Sequence, residues 1–599
     1  MLKKNLCLLA FAVSLLPCLP VKGQTAADIV VERNAAMQTR DGVTLRADIY
    51  RPAAEGSYPV LLTRTPYNKD NTAVFARKAV VRGYMVVAQD VRGRFASEGE
   101  WYTFKHESED GYDAVEWAAT LPHSNGKVGM FSGSYVGATQ MLAAISQPTH
   151  LAGICPAVTA SNYHENWTYQ GGAFEQWFNE SWTTGLAQDT FNRRITEARN
   201  PMVGSRILPL KQYPLFNLDL GPGPSDYTHK LAPYFLDWLD HSTYDSYWKQ
   251  WSIEENYAKI QVPALTIAAW YDIFQGGSLR NYIGMREHAG TEAARKGQQL
   301  LVVIGGHSGS GRKIGEVDFG PDAPFDENEI TLDWYDYLFM GKQNQFANGK
   351  PVKIFVMGEN KWRDEDAWPL ERAKPTRLLL HSFGAASSPV GNTNSSSSTG
   401  WLGPLFIDHE ASSDTFVYDP ANPVPTVGGP LCCDPIHLAP GPRDQKEVES
   451  RPDVLVYSTP PLDSDVEVTG PVTLDLFASS SAVDTDFTAK LVDVWPNGFA
   501  QNLTEGILRA SYRESTTAAK PIVPSKVYEY TIDLWSTSNI FLKGHKIRLE
   551  VSSSNFPRFD RNLNTGKSAS TSATFVKATN TILHDAAHPS ALILPVVAR

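Results

Sequence analysis

Three residues of complementary chemical types follow apolar segments of the chain: Ser134, Asp272 and His307. A serine hydroxyl attacks poorly until a base removes its proton, and a histidine imidazole, with an ordinary pKa of about 6.5, can do this at neutral pH. An aspartate can hold the ring tautomer and stabilise the imidazolium that forms. These three residue types together indicate acyl transfer, with Ser134 as the nucleophile, His307 as the base and Asp272 as the partner of the histidine. The preceding apolar segments are 127–133, 262–269 and 299–304.

The surroundings of Ser134 have the pattern of a nucleophile elbow, in which a strand, a tight turn and a helix follow one another. Residues 127–140 read KVGMFSGSYVGATQ. A serine at the apex of such a turn has a strained backbone, so its neighbours must be small, and Gly133 and Gly137 meet this need. The usual G-x-S-x-G pattern is not met, because a serine stands at the place of the first glycine. The helix predicted to start near Tyr135 directs free N–H groups towards the serine oxygen.

A tetrahedral intermediate needs donors for its oxyanion, and two are predicted. One is the backbone N–H of Tyr135, the residue after the nucleophile. The second should come from the loop after an earlier strand, where Tyr67 follows the apolar segment 58–64. The Tyr67 hydroxyl is therefore a candidate donor, although a tyrosine after a proline is also a common turn residue.

Strands and helices alternate on both sides of one long interruption, which predicts a mostly parallel sheet. The carboxyl ends of parallel strands share one edge, so residues just past them can meet in space. Together with the order Ser…Asp…His, this predicts an α/β fold with an α/β-hydrolase core. The other predicted strands are 29–37, 43–50, 84–90 and 152–158, and the helices are 73–82, 110–119, 277–286 and 329–339.

Two further regions are predicted beside this core. Residues 161–258 are rich in Trp, Tyr and Phe, with helical stretches and no clear strands, as in a helical cap inserted over an active site; a purely structural excursion stays open. From about Lys374 only strands are predicted, which favours an all-β domain of the jelly-roll kind. The predicted domains are 24–160 with 259–373 (catalytic), 161–258 (cap) and 374–599 (jelly roll). The predicted strands of the last are 376–381, 465–469, 472–478, 488–494, 528–533 and 545–551.

Length and charge narrow the classes of function. A chain of 599 residues is too long for one hydrophobic core. Its net charge of -11 argues against binding to nucleic acid or to an anionic membrane surface. The expected partner is a small-molecule ester or amide substrate, and a homo-oligomer stays open.

The first 23 residues have the features of an export signal. A basic start at Lys3 and Lys4 precedes a short apolar segment, and small residues end at Gly23. The apolar segment is too short to span a bilayer, so no membrane insertion is expected. A secreted or periplasmic protein is therefore predicted, with a lipoprotein anchored at Cys18 as the weaker alternative.

Cysteine usage predicts neither a disulfide framework nor a metal site. The mature chain would keep Cys155, Cys432 and Cys433. A bond between adjacent cysteines is strained and rare, so two thiols or one long-range bridge are expected at Cys432 and Cys433. No cysteine–histidine spacing is typical of zinc, and neither a metal nor another cofactor is expected.

Several motifs together resemble a known family. The chain resembles the group of cocaine esterase, α-amino acid ester hydrolases, glutaryl-cephalosporin acylases and X-Pro dipeptidyl peptidases. The resemblance covers nearly all of the mature chain and implies the hydrolase core, the cap and the jelly roll. It also implies Ser134, Asp272 and His307 as triad, and Tyr67 with the Tyr135 N–H as oxyanion hole. The matching motifs are residues 37–45, 64–69, 90–99, the elbow, 270–272 and 418–426.

The chain departs from the family pattern around the pocket. Ser132 stands where the family usually has glycine, Ala268-Ala269 replaces Gly-Gly before Trp270, and Gly305-Gly306 replaces Pro-Trp before the histidine. These changes leave the expected mechanism in place and predict a pocket whose shape differs from that of the family.

Substrate preference is predicted from the residues after Asp272. Amino acid ester hydrolases of the family carry acidic residues there, whereas this chain has Ile273, Phe274 and Gln275. A buried ammonium without a partner costs several kcal/mol, so free α-amino substrates are not expected to be favoured. Phe274 matches an aromatic wall of the acyl pocket in the family, and Trp167 and Tyr169 of the cap could add apolar surface. Plain core packing is the alternative for these aromatic residues.

The leading interpretation is an exported serine hydrolase that cleaves an ester or amide through an acyl-enzyme. An X-Pro dipeptidyl peptidase is a second possibility, with Glu165 or Glu175 as the carboxylate for the peptide N-terminus. A non-catalytic binding protein on a hydrolase scaffold is the third. Residues 428–433 are the segment of the β domain expected to touch the pocket.

Overall fold

A computed structural model describes residues 28–199, 231–307, 311–382, 400–404 and 413–599, with the backbone alone at 194–199. The predicted export signal lies outside the described residues. In chain order, the strands of the first part are β1 Ile29–Gln38, β2 Thr44–Pro52, β3 Tyr58–Thr65, β4 Met85–Asp90, β5 Ser124–Gly133, β6 Leu151–Ala157, β7 Tyr169–Gln170, β8 Ala173–Phe174, β9 Leu265–Ala269, β10 Gln299–Val303, β11 Lys313–Ile314, β12 Val317–Asp318, β13 Val352–Val356 and β14 Lys361–Glu365. The α-helices are α1 Ala73–Val81, α2 Glu107–Ala119, α3 Tyr135–Ile145, α4 Gln176–Arg199, α5 Pro233–Asp240, α6 Ser246–Lys249, α7 Gln275–His288, α8 Glu292–Lys296, α9 Glu327–Met340, α10 Gln345–Asn348 and α11 Lys446–Glu449.

The first sheet has the spatial order β1-β2-β4-β3-β5-β6-β9-β10-β13-β14. Its strands from β4 to β13 pair in parallel, and antiparallel strands close both edges. The central strands are buried along nearly their whole length and carry apolar residues at most positions, as expected where helices cover both faces of a parallel sheet. This is an α/β-hydrolase-like fold, and its parallel strands direct the ends of β5, β9 and β10 to one edge.

The C-terminal part is all-β. Its strands are β15 Ala373–Ser382, β16 Gly400–Gly403, β17 Ser413–Tyr418, β18 Leu455–Ser458, β19 Val466–Ser480, β20 Asp486–Val494, β21 Ala500–Arg509, β22 Tyr528–Phe541, β23 Lys546–Ser552, β24 Ala578–Leu583 and β25 Ala591–Val597. They form one connected set of mostly antiparallel pairs, apart from the parallel pair β16–β18. An all-β C-terminal domain is thus confirmed, while its assignment to the jelly-roll type and the domain boundaries stay predictions.

One hydrophobic core joins the two parts. Side chains of β9, β10 and β13 pack with those of β19, β22 and β23 in a single buried cluster. The backbone of Met357 also bonds on both sides to β22, at Ser538 and Ile540. Because apolar burial supplies most of the folding free energy, this shared core fixes the β domain against the hydrolase sheet.

The strand predictions differ from the structure at identifiable places. The segments predicted as separate strands at 465–469 and 472–478 are one strand, β19, because a bulge between Pro471 and Thr473 lets the strand continue past Gly470 and the proline. The cap contains the short hairpin β7–β8 beside its helices, where no clear strand was expected. Within the described residues, the predictions also omit β11, β12, β13, β14, β16, β17, β18, β21, β24 and β25.

Candidate active site

The side chains of Ser134, His307 and Asp272 meet in series at the carboxyl edge of the sheet. Nε2 of His307 lies 2.8 Å from Oγ of Ser134, and Nδ1 lies 2.7 Å from Oδ1 of Asp272. The aspartate side chain is fully buried, and that of His307 is 10% exposed. Ser134 follows β5, Asp272 follows β9 and His307 follows β10, so the sheet topology accounts for their convergence.

The turn at Ser134 has the strained backbone expected of an elbow. Its φ and ψ are 62° and -132°, directly before α3, and Ser132 is also left-handed with a φ of 96°. A Cβ atom on Gly137 would lie 2.9 Å from Cβ of Thr159 and 3.0 Å from the carbonyl oxygen of Ala157. This glycine therefore allows α3 to approach the chain after β6 closely, while the turn holds the serine hydroxyl outward.

Two donors converge beside the serine. Tyr67 and Ser134 both line one cavity, and the Ser134 side chain and the backbone N–H of Tyr135 are near enough to the Tyr67 hydroxyl to lower its pKa. Its oxygen also accepts a hydrogen bond of 3.0 Å from Nε1 of Trp182, on α4. Burial raises the pKa of Tyr67, so the phenol keeps the proton that an oxyanion donor needs.

The start of α3 rests on a buried polar network. The hydroxyl of Tyr135 donates to Oε1 of Glu107 at 3.0 Å and accepts from the backbone N–H of Phe104 at 2.8 Å. Arg64, at the end of β3, pairs with the same glutamate at 2.8 Å. Buried polar groups of this kind are costly unless bonded, so the network fixes the position of Tyr135 and hence of its backbone N–H.

Asp272 and Phe274 are held together on the other side of the histidine. The N–H of Phe274 donates to Oδ2 of Asp272 at 3.0 Å, which leaves Oδ1 for His307. The Phe274 ring packs edge-on against the His307 ring at 5.1 Å and stacks on Trp167 at 4.4 Å. Both aromatic residues are fully buried, so they support the histidine from the core.

A cavity of about 700 Å³ opens beside Ser134. The described part of its wall comes from the loops at Tyr67 and Ser132, from His307, and from one face of α4 that includes Trp182 and Leu186. Trp167 and Phe274 lie behind this wall and do not line the cavity. Tyr169 is directed elsewhere: its hydroxyl donates to the carbonyl of Trp238 at 2.8 Å, and its ring lines a different cavity, between the cap and the β domain.

Three residues of the cavity were not identified from the sequence. Trp182 carries the donor to Tyr67, and the buried Arg94 donates to the carbonyl oxygens of Pro66 and Leu186, which ties the tyrosine loop to α4. Glu327, at the start of α9, lines the cavity and has no ion-pair or hydrogen-bond partner among the described residues. Arg94 lies within motif 90–99, whereas nothing in the local sequence distinguishes Trp182 from the other aromatic residues of the cap.

The segment 428–433 reaches the cavity through Cys433, as expected. The expectation of two thiols or a long-range bridge is wrong, because Cys432 and Cys433 are joined to each other. Gly428, Gly429 and Cys433 all have positive φ values, so the chain turns tightly here and brings the adjacent side chains together. Cys432 is buried and Cys433 is exposed to the cavity, while Cys155 is a buried free thiol.

The two carboxylates considered for a peptide N-terminus are engaged elsewhere. Glu175 is buried and pairs with Arg558 of the β domain at 3.3 Å. Glu165 accepts a hydrogen bond of 2.7 Å from the N–H of Gly171. Neither lines the cavity at Ser134.

Comparisons with known proteins agree with this architecture. The model of the X-Pro dipeptidyl-peptidase (S15 family) matches residues 41–309, and that of the X-Pro dipeptidyl-peptidase C-terminal non-catalytic domain matches residues 344–593. The chain is 37% identical to the cocaine esterase of Rhodococcus sp. (strain MB1 Bresler) over 95% of its own length and 99% of that protein. An aminopeptidase from a marine sediment Thaumarchaeota archaeon superposes with a TM-score of 0.76 at 25% identity, covering 98% of this chain and 99% of that one. An α-amino acid ester hydrolase shares the fold, with a TM-score of 0.76 at 24% identity over 98% of this chain and 100% of the other.

An α/β-hydrolase-like domain joined to an all-β domain, with a serine at the elbow, defines a serine hydrolase. More particularly, the chain belongs to the S15 family of X-Pro dipeptidyl-peptidase-like hydrolases, and it is similar to cocaine esterase over nearly the whole length of both proteins. No helix among the described residues is both long and apolar enough to cross a bilayer.

Proposed function

We propose that this hydrolase cleaves an ester or amide of a small molecule through an acyl-enzyme on Ser134. The observation that carries the proposal is the unbroken series from Asp272 through His307 to Ser134, with contacts of 2.7 and 2.8 Å beside an open cavity. A binding protein on a hydrolase scaffold would have no need to keep this geometry.

Each group has one task in the reaction. His307 takes the proton of Ser134 through Nε2 as the hydroxyl attacks the acyl carbon, and Asp272 holds the opposite ring nitrogen protonated. The oxyanion of the tetrahedral intermediate is bound by the Tyr67 hydroxyl and the Tyr135 N–H. The imidazolium then gives its proton to the leaving group, and water repeats the sequence to release the acid.

A fluorophosphonate probe and an acyl p-nitrophenyl ester test the proposal. The wild-type protein is expected to be labelled and to hydrolyse the ester, and Ser134→Ala should lose both. Ser132→Ala is the matched control, since it removes a neighbouring hydroxyl from the same cavity and should still be labelled. Labelling that persists in Ser134→Ala would assign the nucleophile elsewhere.

We expect acyl groups without a free α-amine to be preferred. Ile273, Phe274 and Gln275 are buried, and the amide of Gln275 is committed to the carbonyl of Ser536 at 2.6 Å, so no carboxylate follows Asp272 to receive an ammonium. Comparing kcat/KM for an acyl ester and its α-amino analogue measures this preference. A strong preference for the amino form would contradict it.

X-Pro dipeptidyl peptidase activity is the second candidate, and one observation favours it besides the family match. Glu327 lines the cavity and could bind the ammonium group of a peptide N-terminus with its carboxylate. Glu165 and Glu175 do not line this cavity. Aminoacyl-prolyl p-nitroanilides would then be cleaved, and Glu327→Gln would raise their KM without affecting an uncharged ester. The absence of anilide cleavage by an enzyme active on esters would exclude this candidate.

Export is proposed from the N-terminal residues alone. A basic start, a short apolar segment and a small-residue cleavage site at Gly23 support a signal of residues 1–23 and a secreted or periplasmic enzyme. N-terminal sequencing of the protein recovered after expression in a bacterial host is expected to begin at Gln24. A chain that begins at Met1, or at Cys18 with a lipid, would contradict cleavage at Gly23.

A further inference from the structure

A pair of sulfur atoms lies against the catalytic histidine. Each of His307, Cys432 and Cys433 offers one ligand atom, and the three atoms lie within 4.8 Å of one another. The cysteines come from the β domain and the histidine from the hydrolase domain, far apart in the chain, which is why cysteine–histidine spacing did not indicate a site.

The cavity gives solutes access to this cluster. Cys433 and His307 both line it, whereas Cys432 is buried in the core beneath. The segment that carries the sulfurs is fixed against the hydrolase domain: the N–H groups of Gly429 and Gly441 bond reciprocally to each other's carbonyl oxygens, and the carbonyl of the neighbouring Pro442 accepts from Glu316. These backbone contacts hold the segment near the histidine, and they do not depend on the S–S bond.

We propose that reduction of the Cys432–Cys433 disulfide opens a site for a thiophilic divalent cation such as Zn²⁺, with His307 as the third ligand. Two thiolates and one imidazole are a ligand set that Zn²⁺ prefers, and three protein ligands leave a position for water. Tetrahedral Zn²⁺ with bonds of about 2.3 Å to sulfur and about 2.0 Å to nitrogen separates its ligand atoms by roughly 3.5–3.8 Å. The observed cluster is close enough to reach this geometry by small side-chain movements once the sulfurs part.

The reaction balances with a phosphine as reductant. The S–S bond breaks, and the phosphine supplies two electrons and becomes a phosphine oxide with the oxygen of one water. The two protons of that water go to the sulfurs. Binding of Zn²⁺ then releases both protons as the thiols become thiolate ligands.

The site would compete directly with catalysis. Nδ1 of His307 faces Asp272, so the lone pair open to a metal is on Nε2, the atom that lies 2.8 Å from Ser134 Oγ. A cation bound there removes the base from the serine. This inhibition rests on the proposed role of His307, whereas the binding of the cation does not.

The test measures zinc binding and ester hydrolysis separately on the full-length protein. After treatment with a phosphine that does not chelate metals, we expect one additional Zn²⁺ per chain relative to the untreated protein. We also expect a fall of at least about tenfold in hydrolysis that a chelator reverses. Mg²⁺, which prefers oxygen ligands, should have no effect.

Variants separate the proposal from its alternatives. The double variant Cys432→Ser/Cys433→Ser should bind no additional Zn²⁺ in either state, and Cys433→Ser alone serves if the double variant does not fold. His307→Ala should weaken the binding about 10- to 100-fold, whereas Ser134→Ala should bind Zn²⁺ normally although it is inactive. Equal zinc binding before and after reduction, or in the cysteine variants, would overturn the proposal without bearing on the acyl-enzyme mechanism.

Discussion

At the scale of single residues, Tyr67, the proposed oxyanion donor, has a hydrogen-bond partner on α4. Nε1 of Trp182 donates to the Tyr67 hydroxyl at 3.0 Å, which leaves the phenolic proton available for the proposed oxyanion beside Ser134. A hydroxyl has one proton to donate, and a donor on its lone pair fixes the direction of that proton. We therefore expect Trp182 to act as a positioning residue for Tyr67.

Trp182→Phe keeps an aromatic ring in the cavity wall but removes the N–H. We expect kcat to fall about tenfold, and Tyr67→Phe, which removes the oxyanion donor itself, to lower it roughly 10²- to 10³-fold. If tryptophan acts through tyrosine, Trp182→Phe should have little further effect in the Tyr67→Phe background. Two effects that multiply would show that Trp182 acts independently.

The sequence predicted which proposed reacting residues would meet, but not which residues would surround them. Ser134, Asp272 and His307 could be expected to meet because each follows an apolar strand, and strand ends converge by topology alone. Trp182 and Tyr169 are both cap aromatics, and their opposite directions depend on how α4 and the β7–β8 hairpin pack. The Cys432–Cys433 bond was missed for a related reason, since it depends on a turn with positive φ that the sequence does not specify.

At the scale of elements, the start of α3 has two roles that one substitution can separate. The backbone N–H of Tyr135 is the second proposed oxyanion donor, while its hydroxyl bonds to Glu107 and to the Phe104 N–H inside the core. The backbone N–H stays in place when the side chain of residue 135 is changed, whereas the hydroxyl contacts are lost.

Tyr135→Phe is expected to destabilise the fold by about 1–3 kcal/mol, because the buried Phe104 N–H loses its acceptor and Glu107 loses one of its donors. The rate should stay within about threefold of wild type, since the N–H and the ring remain. Urea unfolding and kcat on a neutral ester measure the two effects. A fall in kcat as large as that of Tyr67→Phe would instead mean that the hydroxyl orients the N–H.

At the scale of the whole molecule, a buried charge cluster joins the cap to the β domain. Arg558, after β23, pairs with Glu505 of β21 at 2.6 Å and with Glu175 of the cap at 3.3 Å, and it donates to Gln170 of β7 at 3.1 Å. All three charged side chains are nearly inaccessible to water, and breaking such a cluster leaves an uncompensated buried charge. The cluster therefore fixes the hairpin that precedes α4, the helix that forms one wall of the cavity.

This cluster makes stability depend on pH through Glu175. Burial raises its pKa from 4.5 to about 7; Arg558 opposes the shift, and Glu505 and Glu165 add to it. A carboxyl with a raised folded-state pKa binds its proton more tightly when folded, so its contribution to stability is complete below pH 4.5 and is lost as the pH rises through 7. Over this interval the loss amounts to at most about 3 kcal/mol.

Glu175→Gln mimics the protonated form at every pH and removes this titration. As the pH rises from 5 to 7.5, we expect the free energy of unfolding of the variant to increase relative to that of wild type. The reason is that Glu175 loses its proton in the wild type, whereas glutamine does not titrate. Comparing the urea midpoints of the same unfolding transition at the two pH values cancels the titration of all other groups. Glu180→Gln, on the exposed face of α4, is the matched control. The difference between its urea midpoints at the two pH values should equal that of wild type. A difference between Glu175→Gln and wild type that is the same at both pH values would contradict the raised pKa of Glu175 as a source of pH-dependent stability.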